Sequence, residues 1–277
     1  MNATHQTAET KFIEAKGIKF AYRCFGADSK IPIVFLQHIT GTMDNWDPMV
    51  TDGIAEKHQV VIFDNRGISS TSGKAPDNVD EMADDAIVFI EALGFEKVDI
   101  LGFSLGGFVA QRLARKKPSL IRRMILAGTG PQGSVGLDKL PETLSTSKKK
   151  VAGEGIVWMF FTDSEKSKKK GNEFWTRITQ RKEGRDIATT GEAIGKQMKA
   201  IVDWGKDVDK SYPDLKAMNF PVLIVNGSSD KVIPTVNSYT LFENLSDGWL
   251  SLYPDSGHGA LFQYHKLFVG EVLDFLK

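Results

Sequence analysis

A chain of 277 residues with 41% hydrophobic and 25% charged content can bury a substantial core and lies at the upper end of a single α/β domain. Its 35 basic residues balance 35 acidic ones, so no net field draws it to nucleic acid or to an anionic membrane, and a small molecule is the expected ligand. The single cysteine, Cys24, excludes an intramolecular disulfide framework and leaves only five scattered histidines and the carboxylates for a metal site, so neither metal nor cofactor is expected.

In chain order, Met1 to Lys11 is polar and lacks the apolar centre of a signal peptide, and no run reaches the roughly 18 apolar residues of a membrane span, so a cytoplasmic location is expected. Phe12 to Ala15 and Ile18 to Cys24, joined at Lys16-Gly17, predict an antiparallel hairpin at one sheet edge. Ile31 to Leu36 is a nearly continuous apolar run, the pattern of a strand covered on both faces, and it ends in Gln37-His38-Ile39-Thr40-Gly41-Thr42. A helix is expected near Asp44 to Pro48, with Pro48 in its first turn. Val60 to Phe63 is the next buried strand and leads into Asp64-Asn65-Arg66-Gly67, where Asp64 and Arg66 are expected to be structural, as a charge-assisted pair or as backbone braces. Met82, Ala86, Phe89, Ile90 and Leu93 mark one face of a helix over 79–93, which Gly94 stops.

The organising stretch follows. Val98 to Leu101 is apolar, Gly102-Phe103-Ser104-Leu105-Gly106 is a glycine-flanked serine, and Val109, Ala110, Leu113 and Ala114 recur at helical spacing. This predicts strand, sharp turn and helix, with the glycines standing where any Cβ would collide with a neighbouring element. A serine hydroxyl is a poor nucleophile unless it is exposed beside a base, and such a turn exposes it. The stretch resembles the nucleophile elbow of the α/β-hydrolase family, and the 64–70 loop resembles that family's Asp-x-Arg-Gly loop, with Ser69 in place of its second glycine. In the family the strand preceding the first crossover ends in a His-Gly loop that supplies one oxyanion donor, here with Ile39 in place of the glycine. The resemblance implies backbone donors at Leu105 and Thr40. His38 sits directly at the strand end, which suits a buried histidine bracing the loop rather than a base.

Ile121 to Ala127 continues the alternation of strands and helices, which requires right-handed parallel crossovers and a doubly wound sheet. From residue 132 to 212 no strand-like run occurs, and lysine clusters sit beside Trp158, Phe160, Phe161, Trp175 and Trp204. That predicts a helical insertion, with a helix starting near Asp163 in a Thr162-x-x-Glu165 capping box. In the family an insertion here is a lid. The expected division is therefore a core at 1–131 and 213–277 with a lid at 132–212, whose Trp158 and Phe161 join Ile39 as candidate pocket walls. The lysine runs are expected to be solvated helix faces.

Phe220 to Asn226 and Trp249 to Tyr253 return to the sheet, and a final helix is expected over 260–277. Just past these strands lie Asp230, in Gly-x-x-Asp-x-x-x-Pro, and His258, in Ser-Gly-His-Gly. Parallel sheets gather sites at the carboxyl ends of their strands, so Ser104, Asp230 and His258 can meet although they are distant in sequence. Serine, acid, histidine is also the family's order. Asp255 is a rival acid, but only three residues before the histidine it has poor reach. His5, His58 and His265 fit the description of surface loop histidines. The expectation is an eight-stranded, mostly parallel α/β-hydrolase fold carrying a serine hydrolase. Its substrate is expected to be a small, mostly apolar ester or related acyl compound, with Asp230 orienting His258 and His258 moving the Ser104 proton. The same triad in the family also serves carbon–carbon bond hydrolysis, peracid formation and slow-turnover small-molecule receptors. Oligomeric state has no sequence signature here.

Overall fold

A computed structural model describes residues 3–151, 153–206 and 209–277. The core sheet opens with β1 (Lys11–Ala15), β2 (Ile18–Gly26) and β3 (Ile33–Leu36), followed by α1 (Pro48–Ala55), β4 (Gln59–Phe63) and α2 (Val79–Ala92). The elbow unit is β5 (Val98–Phe103) and α3 (Leu105–Lys116), and β6 (Ile121–Ala127) closes the first half. Then come the helices α4 (Leu140–Lys148), α5 (Glu154–Phe160), α6 (Glu165–Ile178), α7 (Gly191–Trp204) and α8 (Pro213–Lys216). The sheet resumes with β7 (Val222–Gly227), α9 (Val236–Asn244) and β8 (Gly248–Tyr253), and the chain ends in α10 (Ala260–Gln263) and α11 (His265–Phe275).

The eight strands lie in the order β1-β2-β4-β3-β5-β6-β7-β8. Only the β1–β2 and β2–β4 pairings are antiparallel, and every pairing from β4 to β8 is parallel. The central strands are buried along their whole length because helices cover both faces, which is why they read as continuous apolar runs. Each α2, α3 or α1 crossover turns its apolar stripe onto the sheet, and at one such seam Phe63 stacks on Phe89 while Phe20 packs against both at an angle.

The fold differs from the sequence expectations at the last helix, at the start of α6 and in the loop after β4. The last helix is two: α10 and α11 break at Tyr264, whose φ of −108° and ψ of 35° are not helical. The cap of α6 is Ser164, whose hydroxyl accepts from the Ser167 amide, so that helix starts two residues later than the expected capping box places it. Asp64 and Arg66 do not pair. Arg66 donates to Asp85 and Glu81, while Asp64 accepts from the Met43 amide and its backbone carbonyl from the Thr71 hydroxyl, so Asp64 alone is a brace.

The segment between β6 and β7 is fastened to the core by buried charge. Arg23, fully buried on β2, donates to Asp44 at 2.6 Å and to Asp186 at 2.7 Å, and Arg177 on α6 makes a two-point contact with Asp47 at 2.6 and 2.8 Å. Arg181 donates to the backbone carbonyls of His5, Gln6 and Ala8, which ties the N-terminal stretch into the same seam. Bidentate guanidinium contacts of this kind fix orientation as well as position. No helix among the described residues is long and apolar enough to cross a membrane.

Candidate active site

Between the last residue of β5 and the first of α3 only Ser104 is available to turn the chain, and it does so at φ 56° and ψ −118°. L-residues occupy that region only when the surroundings force them to, at about 1–3 kcal/mol. The flanking glycines make the turn possible. A Cβ on Gly102 would lie 2.5 Å from the Gly106 carbonyl oxygen, and one on Gly106 would run into the carbonyl of Leu36 on β3. Three bonds hold the turn: the Ser104 amide donates to the Ala127 carbonyl, and its own carbonyl accepts from the Gly107 amide and the Thr129 hydroxyl, each at 2.9 Å. These use only the backbone of Ser104.

The strand ends on the other side of β6 bring the acid and the histidine together. Asp230, in the turn after β7, presents one carboxylate oxygen to the amides of Val232 and Ile233 at 2.8 and 3.0 Å. Its other oxygen lies 2.8 Å from His258 Nδ1. With an acceptor there, Nδ1 carries the proton and Nε2 keeps its lone pair, the tautomer a general base needs. Ser104, Asp230 and His258 are 3%, 6% and 2% exposed, so the three are enclosed. Asp255 points elsewhere, accepting from the hydroxyls of Thr162 and Ser164, and takes no part with His258.

Aromatic rings surround His258. Phe103, the residue before the serine, lies 4.9 Å from it centroid to centroid, and Phe160 at the end of α5 lies 5.3 Å away. The Phe160 carbonyl also accepts from the Gly259 amide at 2.8 Å, so α5 holds the histidine loop through backbone as well as ring. The same two phenylalanines pack against His38 at 5.3 and 5.5 Å. His38 braces its loop as its position at the strand end implies: Nδ1 donates to the Ile39 carbonyl at 2.6 Å, and burial lowers its pKa to about 4, so the ring is neutral.

Of the candidate pocket residues, Ile39 is buried next to His38, whereas the rings of Trp158 and Phe161 meet Lys231 and Phe174. The Trp158 ring receives the ammonium groups of Lys231 at 4.0 Å and Lys150 at 5.3 Å, and Phe161 packs on Phe174. One register step separates Phe161 from Phe160, and helical direction rather than composition decides which of them faces the histidine. Trp204 stacks on Phe108 and donates its indole N–H to the Gly130 carbonyl. His5 is no surface histidine: it is buried against Thr51 and Phe25, and burial pushes its pKa down to about 3.

The two candidate oxyanion donors differ. Leu105 is the first residue of α3, so its N–H is one of the donors that the helix itself cannot use. Thr40 stands at φ 67°, and its N–H donates to Oε1 of Gln197, on α7, at 2.9 Å. Gln197 was not singled out from sequence, although it lies on the inward stripe of α7 with Ala193, Ala200, Ile201 and Trp204. A glutamine on an otherwise apolar stripe is the signal that could have found it. A cavity of about 280 Å³ opens beside this loop, lined by His38, Thr40, Asp44, Ile156, Arg185 and Thr189 among others.

The fold has counterparts among known proteins. The structure is similar to that of an alpha/beta hydrolase fold protein from Chitinophaga pinensis, with a TM-score of 0.96, 43% identity and 99% of each chain covered. Among curated proteins, the chain is similar to a putative carbamate hydrolase of Agrobacterium fabrum, 24% identical over 90% of this chain and 94% of that protein. It is also similar to the 2-hydroxy-6-oxo-6-(2'-aminophenyl)hexa-2,4-dienoic acid hydrolase of Metapseudomonas resinovorans, 25% identical over 96% of this chain and 90% of that one. The family description alpha/beta hydrolase fold matches residues 31–263. The chain is a member of the alpha/beta hydrolase fold family.

Proposed function

We propose that the protein is a serine hydrolase that cleaves a small, mostly apolar ester or related acyl compound through an acyl-enzyme on Ser104. The observation that carries this reading is the Asp230–His258 contact, in which one carboxylate oxygen holds Nδ1 while two amides hold the other. Asp230 thereby orients the ring and stabilises its charged form. His258 Nε2 takes the Ser104 proton as Oγ attacks the acyl carbon, and returns it to the departing alcohol or amine. Water, deprotonated by the same nitrogen, then releases the acid. The Leu105 and Thr40 amides are the donors for the tetrahedral oxygen, and each such donor is worth about 10²- to 10³-fold in rate.

Residues 132–212 act in this reading as a lid. The enclosure of the triad and the seating of Phe160 on His258 support that role. The rings of Phe103 and Phe160 on the histidine, with Phe262 packed against both of them, favour an apolar acyl or alcohol group. The test is a series of p-nitrophenyl esters of increasing acyl length, run beside Ser104→Ala. Continuous Ser104-dependent turnover with a preference for short acyl chains is expected. Release of a single equivalent followed by a stall would make the protein a covalent receptor instead.

A further inference from the structure

The Thr40 N–H is occupied. Its acceptor, Gln197 Oε1, comes from α7 in the segment between β6 and β7, and the Gln197 side chain is 1% exposed. The same segment also takes the other end of this residue, since the Thr189 hydroxyl donates to the Thr40 carbonyl at 2.8 Å. Thr40 is thus gripped through both its N–H and its C=O while holding a left-handed backbone that a β-branched residue resists.

A carboxamide oxygen is a chemical likeness of an ester carbonyl oxygen: neutral, sp², and accepting from the same amide. We infer that Gln197 is a gate on the oxyanion donor, its side-chain oxygen occupying in the substrate-free protein the hydrogen bond that the substrate carbonyl oxygen takes over when it binds. This rests on the hydrolase reading, and on Thr40 as the donor within it. The exchange is one neutral hydrogen bond for another, so it sets a threshold on binding rather than a block, on the order of tenfold. A substrate oxygen that gains negative charge in the transition state outcompetes the carboxamide, whereas a poorly placed one does not. Gln197 therefore selects for substrates whose carbonyl reaches the donor, and it touches the donor rather than the reacting atoms.

A rival explanation makes Gln197 a clamp that keeps Thr40 in its strained conformation. The two diverge on Gln197→Met, which keeps length and volume but removes the acceptor, and on Gln197→Glu, which supplies a stronger one. A gate predicts that Gln197→Met lowers KM for a short-chain p-nitrophenyl ester about 3- to 10-fold with kcat no lower than wild type, and that Gln197→Glu raises KM. A kcat reduced tenfold or more in Gln197→Met at unchanged KM would overturn the gate in favour of the clamp. Should Gln197→Met not fold, a Gln197→Glu variant with KM at or below the wild-type value overturns the gate, and a raised KM sustains it. Failure of the hydrolase reading is separable, because it would appear as wild-type turnover that survives Ser104→Ala. Deuterium exchange at the Thr40 amide then decides the contact itself: faster exchange in Gln197→Met than in wild type supports occupancy by Gln197, and equal exchange refutes it.

Discussion

His258 Nδ1 and Asp230 Oδ2 stand 2.8 Å apart, and the remaining Asp230 oxygen is fixed by the Val232 and Ile233 amides, so the carboxylate cannot turn away without breaking three bonds. Asp230→Asn keeps the shape and removes the charge, and it forces an N–H or a wrong tautomer upon the histidine. Its kcat is expected to fall by about 10⁴-fold with the fold retained by circular dichroism. Asp255→Asn, whose partners are the Thr162 and Ser164 hydroxyls, should stay within about threefold of wild type, since it does not orient His258. The reverse ranking in steady-state kinetics would reassign the acid.

The strained serine turn depends on glycine at two contacts. Gly106→Ala drives a methyl into the Leu36 carbonyl, a backbone group that cannot rotate aside, and is expected to cost about 3 kcal/mol or more, read as a lowered urea midpoint. Gly191→Ala is a counterexample on α7. Nothing lies within 4 Å of its added Cβ, so the variant should be neutral or gain up to about 1 kcal/mol through the unfolded chain. Equal destabilisation by the two would mean that the elbow is not as tightly packed as described.

Much of this was readable in the sequence, for a physical reason. A strand buried on both faces must be apolar throughout, so β3 to β7 announce themselves, and an elbow must have glycine where β3 and α3 approach. The seam of Arg23, Asp44 and Asp186 was not readable, because its partners lie 21 and 163 residues apart and polar residues carry no period. For the same reason His5 looked like a loop histidine: its burial is imposed by Thr51, Asp52 and Arg181. The break at Tyr264 has no signal in the apolar spacing of 260–277, and the Gln263 side chain before it is held by the Ser167 hydroxyl and the Asp255 carbonyl, partners distant in sequence or outside the helix. Phe160 rather than Phe161 facing His258 is a question of phase, which a cluster of aromatics leaves open.

Two buried histidines should tilt stability towards neutral pH. His5 and His38 have pKa values lowered by burial from 6.5 to about 3 and about 4, so both are neutral in the folded state. The unfolded chain binds their protons first. The stability they provide is therefore complete above pH 6.5 and is lost as pH falls from there towards 4 for His38 and towards 3 for His5. Urea midpoints at pH 7.5, 5.5 and 4.5 should decline in that order, and His5→Gln should flatten the decline. An unchanged slope in His5→Gln would mean that His5 is not the group being titrated.

Asp64 acts with the opposite sign. Burial, reinforced by the neighbouring Asp186, pushes its carboxyl well above the ordinary carboxylate range, and Oδ2 has no partner among the described residues. A raised folded pKa contributes stability that is complete below the ordinary value of 3.8 and is lost as pH rises through the folded value. Asp64→Asn, which cannot ionise, should therefore gain on wild type in Tm between pH 5 and pH 8. A difference that is constant across this range would show that Asp64 does not change charge within it.

In the proposed mechanism Ser104 is the residue that becomes acylated, with His258 as its base. Intact-mass and peptide mapping after reaction with a fluorophosphonate tests this most directly, because displacement of fluoride by Ser104 Oγ leaves a stable adduct on the nucleophile. One adduct per chain is expected, on the peptide containing Ser104, absent in Ser104→Ala and slowed at least about 100-fold in His258→Ala. An adduct on another residue, or labelling undiminished in Ser104→Ala, would contradict that mechanism.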